Sequence, residues 1–380
     1  MPDSQPPESR LERSRRIRRI AVVAATVALI PVALSYVSSM ARPSNSSLGI
    51  RSVEWLRDHG AAGIVSRIES TYYSLTAPAK GGPTLHALPS VGYGSSNPAF
   101  PPRRSAPVAY APPRIAPLIH PALTGEGVWR TVRPGAGSDP PLLVTTLRNQ
   151  KEYPRVLAGL AWIDTKRTRL TLNPGREEPS VEIPRGSMDV PHGERAGLLA
   201  TFNSAFKLSD SGGGFVLHGR TYARMHQGEA TLVGYHDGRV NVFAWNYGPR
   251  APSSVSFARQ NLPLIVDHGH ANPNINDGPE WGATLGNAIL VWRSAIGIDR
   301  HGNLLYLAGD NQTVHSLANT LVHAGAVRAM ELDINSYWVS FISYRTPGAG
   351  KPRNLLPDMV RPATRYLTPE DRDFFAVYAR

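Results

Sequence analysis

Ala329-Met-Glu-Leu-Asp-Ile-Asn335 is the stretch on which the reading of the C-terminal bulk of this chain turns. An apolar run, Ala329–Leu332, stops on Asp333 and Asn335, as a buried strand does when its end carries polar groups to a rim. Just upstream, Val314, Leu317, Ala318, Leu321 and Val322 fall on one helical face. Asn311 or Thr313 is available to cap that helix and Gly325 to end it. Further out, short apolar runs recur at Leu142–Leu147, Leu157–Ile163, Leu198–Phe202, Phe215–Leu217, Thr231–Tyr235 and Val240–Trp245. They continue at Leu262–Val266, Ala288–Trp292, Leu304–Ala308 and Trp338–Ser343. Their lengths and the flanking Gly, Asn and Asp favour strands, and Asp237-Gly238 and 298–303 read as hairpin turns. The expected fold class is α+β, one mixed-sheet domain with flanking helices over residues 120–380.

The N-terminal part reads differently. Ile20–Val37 is uncharged and almost wholly apolar, and with Ser38–Met40 it approaches the length needed to cross a bilayer. Six arginines precede it, which should keep residues 1–19 cytoplasmic and place the rest outside. The expectation is a signal anchor over residues 20–40, giving a single-pass membrane protein; the alternative is a cleaved signal peptide and a secreted product, with Ser39 and Ala41 near the cut. Val53–Leu75 has an amphipathic pattern broken at Gly60 and Gly63, so one or two short helices are expected. Trp55, Tyr72 and Tyr73 suit either a lipid headgroup layer or packing on the main domain. Residues 76–119 are rich in Pro, Gly, Ser and Ala and read as an extended spacer. Residues 41–119 thus form a juxtamembrane segment and linker ahead of the extracytoplasmic domain.

Composition excludes several classes. The chain has no cysteine, so disulfides, thiolate metal sites and cysteine nucleophiles are out. The net charge of +12 divides into +3 over residues 1–40, +5 over 41–119 and +4 over 120–380. No basic stripe or nucleic-acid motif accompanies it, so no nucleic-acid partner is expected. An anionic glycan or a membrane surface suits the pattern better.

Polar residues at strand ends are the candidates for chemistry: Asn203 and Lys207, Asp267, Arg293, then Glu331, Asp333 and Asn335. Each has a blander role open to it. Asp333 suits a turn or cap carboxylate, Arg293 a structural ion pair, Asn203 a loop hydrogen bond and Lys207 an exposed strand end. Glu331 shares a face with Asp333 only if Leu332 points inward.

The order Phe202-Asn-Ser-Ala-Phe206, Arg293-Ser-Ala-Ile-Gly297, Leu332-Asp-Ile-Asn335 resembles the phosphodiester glycosidase family over roughly residues 140–345. There, Asn-Gly-Gly-Phe, Arg-x-Ala-x-Gly and Leu-Asp-Gly-Gly-Gly-Ser follow in that order. Asp237-Gly238-Arg239 and Trp281-Gly282 fit as well, and the ending Arg372-Asp-Phe-Phe375 is similar to a membrane-anchored actinobacterial branch. Ser204, Ala205, Ile334 and Asn335 stand where the family has glycines, which alters the pocket if those glycines admit the substrate to the backbone.

The resemblance implies hydrolysis of the glycosidic bond in a sugar-1-phosphodiester or related anionic cell-envelope glycan. A phosphomonoester leaves readily, so a cation, one carboxylate and hydroxyl-binding groups serve where common glycosidases use two carboxylates. On that reading Asp333 acts at the anomeric centre, Arg293 and Lys207 hold phosphate, and Asn203 and Asn335 bind sugar or orient water. Glu331 is the possible second carboxylate, and Asp267 lines the site at the end of its strand. No cofactor is expected, with a divalent cation as the alternative. Asp267-His-Gly-His270 has no evident third ligand, and Asn272–Gly278 misplaces the glycine of a calcium loop. Gly212-Gly213-Gly214 lacks the Lys-Ser/Thr of a phosphate loop, and Ser204 lacks a nucleophile-elbow context. The alternatives to the hydrolase are a non-catalytic wall-glycan binder on the same fold and a scaffold that binds polyanions through its basic linker.

Overall fold

A computed structural model describes residues 10–92, 110–133, 140–276, 278–281 and 289–380. Residues 93–109 of the expected linker, the start of the basic tail, Asp277 and Gly282 lie outside the described residues. Contacts divide the chain into two units, Met1–Val65 and Ser66–Arg380.

In the first unit, α1 (Arg10–Ala41) holds one helix long and apolar enough to cross a membrane, Arg13–Ala41, none of its apolar window buried within the protein. That is compatible with a single-pass anchor or a signal sequence. α2 (Leu48–Leu56) starts at Ser47, whose hydroxyl accepts from the Ile50 N–H. The end of α1 is tied to this segment: Tyr36 bonds Ser52 at 2.8 Å, and Ser35 accepts from Trp55 Nε1 at 3.2 Å. A wide turn follows over Arg57–Ala61, where Gly60 takes φ +88°, and α3 (Ala62–Thr76) resumes beyond it, its residues from Ser66 onward belonging to the second unit. The helix therefore breaks at Gly60 as expected, while Gly63 is absorbed into α3.

The second unit is rich in strands: β1 (Arg130–Thr131), β2 (Leu142–Arg148), β3 (Leu157–Ile163), β4 (Thr168–Asn173), β5 (Leu198–Asn203) and, after the short α4 (Leu208–Ser211), β6 (Phe215–Leu217). Next come β7 (Arg220–Ala223), β8 (Ala230–Tyr235), β9 (Val240–Ala244), β10 (Val255–Gln260), β11 (Leu264–Asp267) and β12 (His270–Ala271). After β13 (Val291–Asp299) and β14 (Leu304–Gln312), α5 (Val314–His323) leads into β15 (Ala326–Glu331), β16 (Phe341–Thr346), β17 (Gly350–Asn354) and β18 (Phe374–Ala379). This is the α+β class expected, its strands arranged in three sheets: β1-β2-β3-β14-β13-β15-β11-β12, β7-β6-β10-β8-β9 and β17-β16-β5-β18-β4. The described ladders are antiparallel.

One apolar cluster joins all three sheets through Val144, Ile296, Tyr306, Phe202, Phe375, Leu232 and Phe257. A second covers the other face of the large sheet, where Leu317, Ala318 and Leu321 of α5 pack on Leu160, Leu305 and Ala329. α5 is capped by Thr313, which with Ser316 forms a reciprocal pair of side-chain-to-backbone bonds. Covered on both faces, β13 is buried at all nine positions, Arg293 and Ser294 included. Polar groups on such a strand must find partners inside the protein, and that requirement builds the site.

Two strand expectations shift. Of the run placed at Ala288–Trp292, Ala288 lies outside the described residues, and Val291 and Trp292 open β13, which continues to Asp299 because Arg293 and Ser294 are buried and do not end it. The run placed at Trp338–Ser343 is a turn through Ser340 and then β16. β1, β4, β7, β10, β12, β17 and β18 have no counterpart among the expected strands: β1 and β12 are two residues long, β4, β7, β10 and β17 carry polar residues among the apolar ones, and β18 follows a charged run.

Candidate active site

Several chain ends meet at one rim. The register pairs Ala295 with Glu331 and Phe374 with Asn203, so the start of β13, the exits of β5 and β15, and the entry to β18 lie together. The exit of β10 joins them, since Asn261 Nδ2 donates to the carbonyls of Glu331 and Leu332 at 2.8 and 3.0 Å.

Asp333 lies at this rim with only 4% of its surface exposed. Its Oδ2 accepts from Arg372 Nη2 at 3.2 Å and its Oδ1 from the Asn335 N–H at 2.9 Å. Burial pushes its pKa up to about 6, against the pull of Arg372, the backbone N–H groups of Asn335 and Ile334, and Arg365. Asn335 turns the chain: its side-chain oxygen accepts from the Tyr337 N–H at 2.9 Å. Trp338 then sits beneath the guanidiniums of Arg372, Arg365 and Arg361, at 5.1, 5.2 and 5.7 Å from the ring.

Arg293 and Glu331 are brought together, but for each other. Arg293 Nη1 meets Glu331 Oε1 at 2.7 Å with both side chains buried. Three further bonds go to backbone carbonyls: Nε to Gln312, Nη1 also to Trp281, and Nη2 to Ile289. Arg293 thereby ties β13 to β14 through the Gln312 carbonyl and to the carbonyls of Trp281 and Ile289. Burial raises the pKa of Glu331, with Arg293 opposing it. Gly297 closes the same motif for a packing reason, since a Cβ there would lie 3.1 Å from both the Ala326 Cβ and the Arg328 carbonyl oxygen.

Asn203 is likewise committed. Its Nδ2 donates to Ser294 Oγ at 3.0 Å and to the Ser204 carbonyl at 2.8 Å. Its Oδ1 accepts from Tyr306 Oη at 2.9 Å and from the Ser340 N–H at 3.0 Å. Ser294 Oγ in turn donates to the Asp333 carbonyl and accepts from the Asp333 N–H, both at 3.1 Å. Through Ser294, Asn203 is thus linked to the backbone that presents Asp333. Lys207, half-buried, opens α4 directly after Phe206, which packs on Ile334.

Asp267 is not part of this gathering. It closes the β11–β12 hairpin at the level of Arg328, roughly 10 Å down the sheet from Glu331 at the usual strand rise. There it is half-buried and meets His268 at 3.1 Å. The strand does end on Asp267 as read, but at the opposite end from Asp333. Among the described residues no three His, Asp or Glu side chains converge as a metal cage would require.

The family glycines replaced here leave no backbone strain: none of Ser204, Ala205, Ile334 and Asn335 has positive φ. Ile334 is absorbed into a small apolar cluster with Phe206 and Val291. Ser204 Oγ, Asn261 Oδ1, Glu331 Oε2 and Asp373 Oδ1 are buried near these chain ends without a protein partner. Sequence reasoning did not assign roles to Arg372, Ser294, Tyr306 or Trp338. Arg372 had one usable signal, a charged pair placed directly before the fully apolar Phe374–Ala379.

Residues 195–333 match the model of the phosphodiester glycosidase family, a span that ends on Asp333. The catalytic domain of zebrafish N-acetylglucosamine-1-phosphodiester alpha-N-acetylglucosaminidase, auto-inhibited by its pro-peptide, is similar at 13% identity. The match covers 64% of this chain and 85% of that one, with a TM-score of 0.41. A hypothetical protein from Synechocystis is similar at 12% identity, over 64% and 63% of the two chains, with a TM-score of 0.38. No curated protein matches the chain. The family match supports a glycosidase-type function.

Proposed function

Starting from the phosphodiester glycosidase domain at residues 195–333, we propose that this chain is an extracytoplasmic hydrolase of a sugar-1-phosphodiester or a related anionic cell-envelope glycan. The observation that carries the reading is Asp333: a buried carboxylate with a pKa near 6, set against Arg372, at the family's Leu-Asp position. A carboxylate poised near neutrality suits a general base. Ionised Asp333 accepts a proton from water as the water oxygen bonds to the anomeric carbon. The bond from that carbon to the phosphate oxygen breaks, its electron pair leaves with the phosphate, and free sugar and a phosphomonoester result. Arg372 keeps the carboxylate ionised, Lys207 faces the phosphate, and Asn335 meets the sugar. Asn203, Ser294 and the Arg293–Glu331 pair hold Asp333 in place. The six arginines before the apolar part of α1 support an anchor with the domain outside.

The test uses the full chain in detergent with an N-acetylglucosamine-1-phosphodiester and a panel of teichoic-type polymers, with and without chelator. Free sugar released by the wild type and lost in Asp333→Asn supports the reading. Release that survives this substitution moves the chemistry to Glu331. A second reading, a non-catalytic glycan binder, is favoured by the commitment of the Arg293 and Asn203 donors to the protein. Glycan binding without turnover would establish it.

A further inference from the structure

α3 has two unlike faces. Ile64, Ile68, Tyr72 and Leu75 follow helical spacing along one side, and their side chains are exposed at 64, 65, 60 and 81%. Scattered apolar residues on a surface are ordinary, whereas a row of four on one helical face marks a surface that meets something apolar. The opposite side carries Tyr73. It packs against the cluster of Phe206, Val291 and Ile334, and its hydroxyl bonds Ser336. Burial of that phenol raises its pKa to about 12, so it remains neutral at physiological pH. Ile334 and Ser336 flank Asn335 in the loop that leaves Asp333.

The chain itself indicates the occupant of the exposed face. α1, long and apolar enough to span a bilayer, ends at Ala41, and α3 begins at Ala62 with the nine-residue α2 between them. Nine helical residues and the remaining connection reach at most about 50 Å, so the membrane lies within reach of α3. The face has the composition of an interfacial helix: aliphatic residues to enter the acyl boundary, a tyrosine with one wet end, and exposed Arg67 on its flank to reach the headgroups.

We propose that the Ile68–Tyr72–Leu75 face of α3 lies in the interfacial layer of the membrane that α1 spans, and that Tyr73 thereby holds the Asp333 loop at the membrane surface. Resting on the hydrolase reading above, the substrate class narrows to a sugar joined through its phosphodiester to a membrane lipid. Such a substrate presents its anomeric carbon at headgroup level, where the site then stands. Residues 76–119 consequently do not act as a spacer that carries the site away from the bilayer, because the contact with the Asp333 loop lies before them.

The absence of cysteine makes the test direct. Single variants Ile68→Cys, Tyr72→Cys and Leu75→Cys, with Lys151→Cys as a reference on an exposed turn, are spin-labelled in the full chain. They are then reconstituted in phosphatidylcholine–phosphatidylglycerol vesicles. The three α3 labels should be relaxed more by oxygen than by an aqueous nickel chelate, and the Lys151 label the reverse. Preferential relaxation by the chelate at all three overturns the membrane contact, and so does shielding from both reagents, which would assign the face to a protein partner. In a second arm, Ile68→Ser/Leu75→Ser should lower hydrolysis of a vesicle-borne lipid-linked sugar phosphodiester by about ten-fold. A soluble short-chain analogue should be cleaved at an unchanged rate. Equal rates of the variant and wild type on the vesicle-borne substrate overturn the lipid-linked class. Hydrolysis of neither substrate by the wild type removes the glycosidase reading, while the spin labels still decide the membrane contact.

Discussion

Arg372 reaches across the rim to Asp333, 3.2 Å from Nη2 to Oδ2, and the same nitrogen donates to the Ala205 carbonyl at 3.1 Å. One guanidinium therefore joins the entry to β18, the exit of β5 and the loop after β15. Burial raises the Asp333 pKa, and Arg372 is the chief group that restrains the rise. The balance leaves the carboxyl near pH 6, where it can both ionise and accept a proton in the physiological range.

As a base, Asp333 must be ionised, so turnover should climb through about pH 6 and level off above it. Asp333→Asn should lower kcat by at least about 100-fold. A rate that falls as pH rises through 6 would make Asp333 the acid instead. Its effect on stability has the opposite sense. The folded pKa exceeds the unfolded one, so the contribution is complete below about pH 4 and is lost as pH rises through 6. Thermal unfolding of the Asn variant should lack that decline.

Replacing Arg372 by methionine removes the main charge that favours the ionised form of Asp333. The acid limb of the pH–rate profile should move to higher pH, and lysine at this position should restore part of the shift. An unmoved limb would mean that another group titrates.

Lys207, if it meets the phosphate, contributes to binding in ground and transition states alike. Lys207→Ala should then raise KM by about ten-fold with little change in kcat. Steady-state kinetics on a soluble phosphodiester measures the split, and an effect on kcat alone would place the lysine on the leaving oxygen.

The Arg293–Glu331 pair predicts a stability phenotype. Removing one member strands a buried charge, so Glu331→Ala should cost about 3–5 kcal/mol in urea unfolding. The double variant Arg293→Met/Glu331→Leu should recover much of that loss. Unchanged stability in both single variants, with activity abolished, would return these residues to the chemistry.

Asn203→Ala strips partners from Ser294, Tyr306 and the Ser340 N–H at once. A loss of roughly 2–3 kcal/mol is expected, since buried groups are left unsatisfied. Denaturant midpoints check it, and Asn203→Asp, which keeps the acceptor, should lose less of the Tyr306 and Ser340 contribution.

The sequence by itself determined the class of the chain. Apolar run lengths, the capped helix before Gly325 and the turn at Asp237-Gly238 are local properties, and local propensity and spacing are written in neighbouring residues. The same holds for the apolar span of α1 and the break at Gly60. The order of the Asn203, Arg293 and Asp333 segments also pointed to the family matched at residues 195–333. Tertiary structure alone decided which partners each polar residue meets. Arg293 and Asn203 looked like ligand-binding groups because residue type shows only capacity for hydrogen bonding. Burial at every position of β13 and of β5 turned that capacity inward. Asp267 ended a strand as read, yet an antiparallel partner put that end away from Asp333. The partner of Arg372 was hidden for the converse reason: the two are distant in sequence, and Arg372 meets Asp333 only because β18 pairs with β5 at Asn203. Register and burial are long-range properties, and they assign partners that no local pattern records.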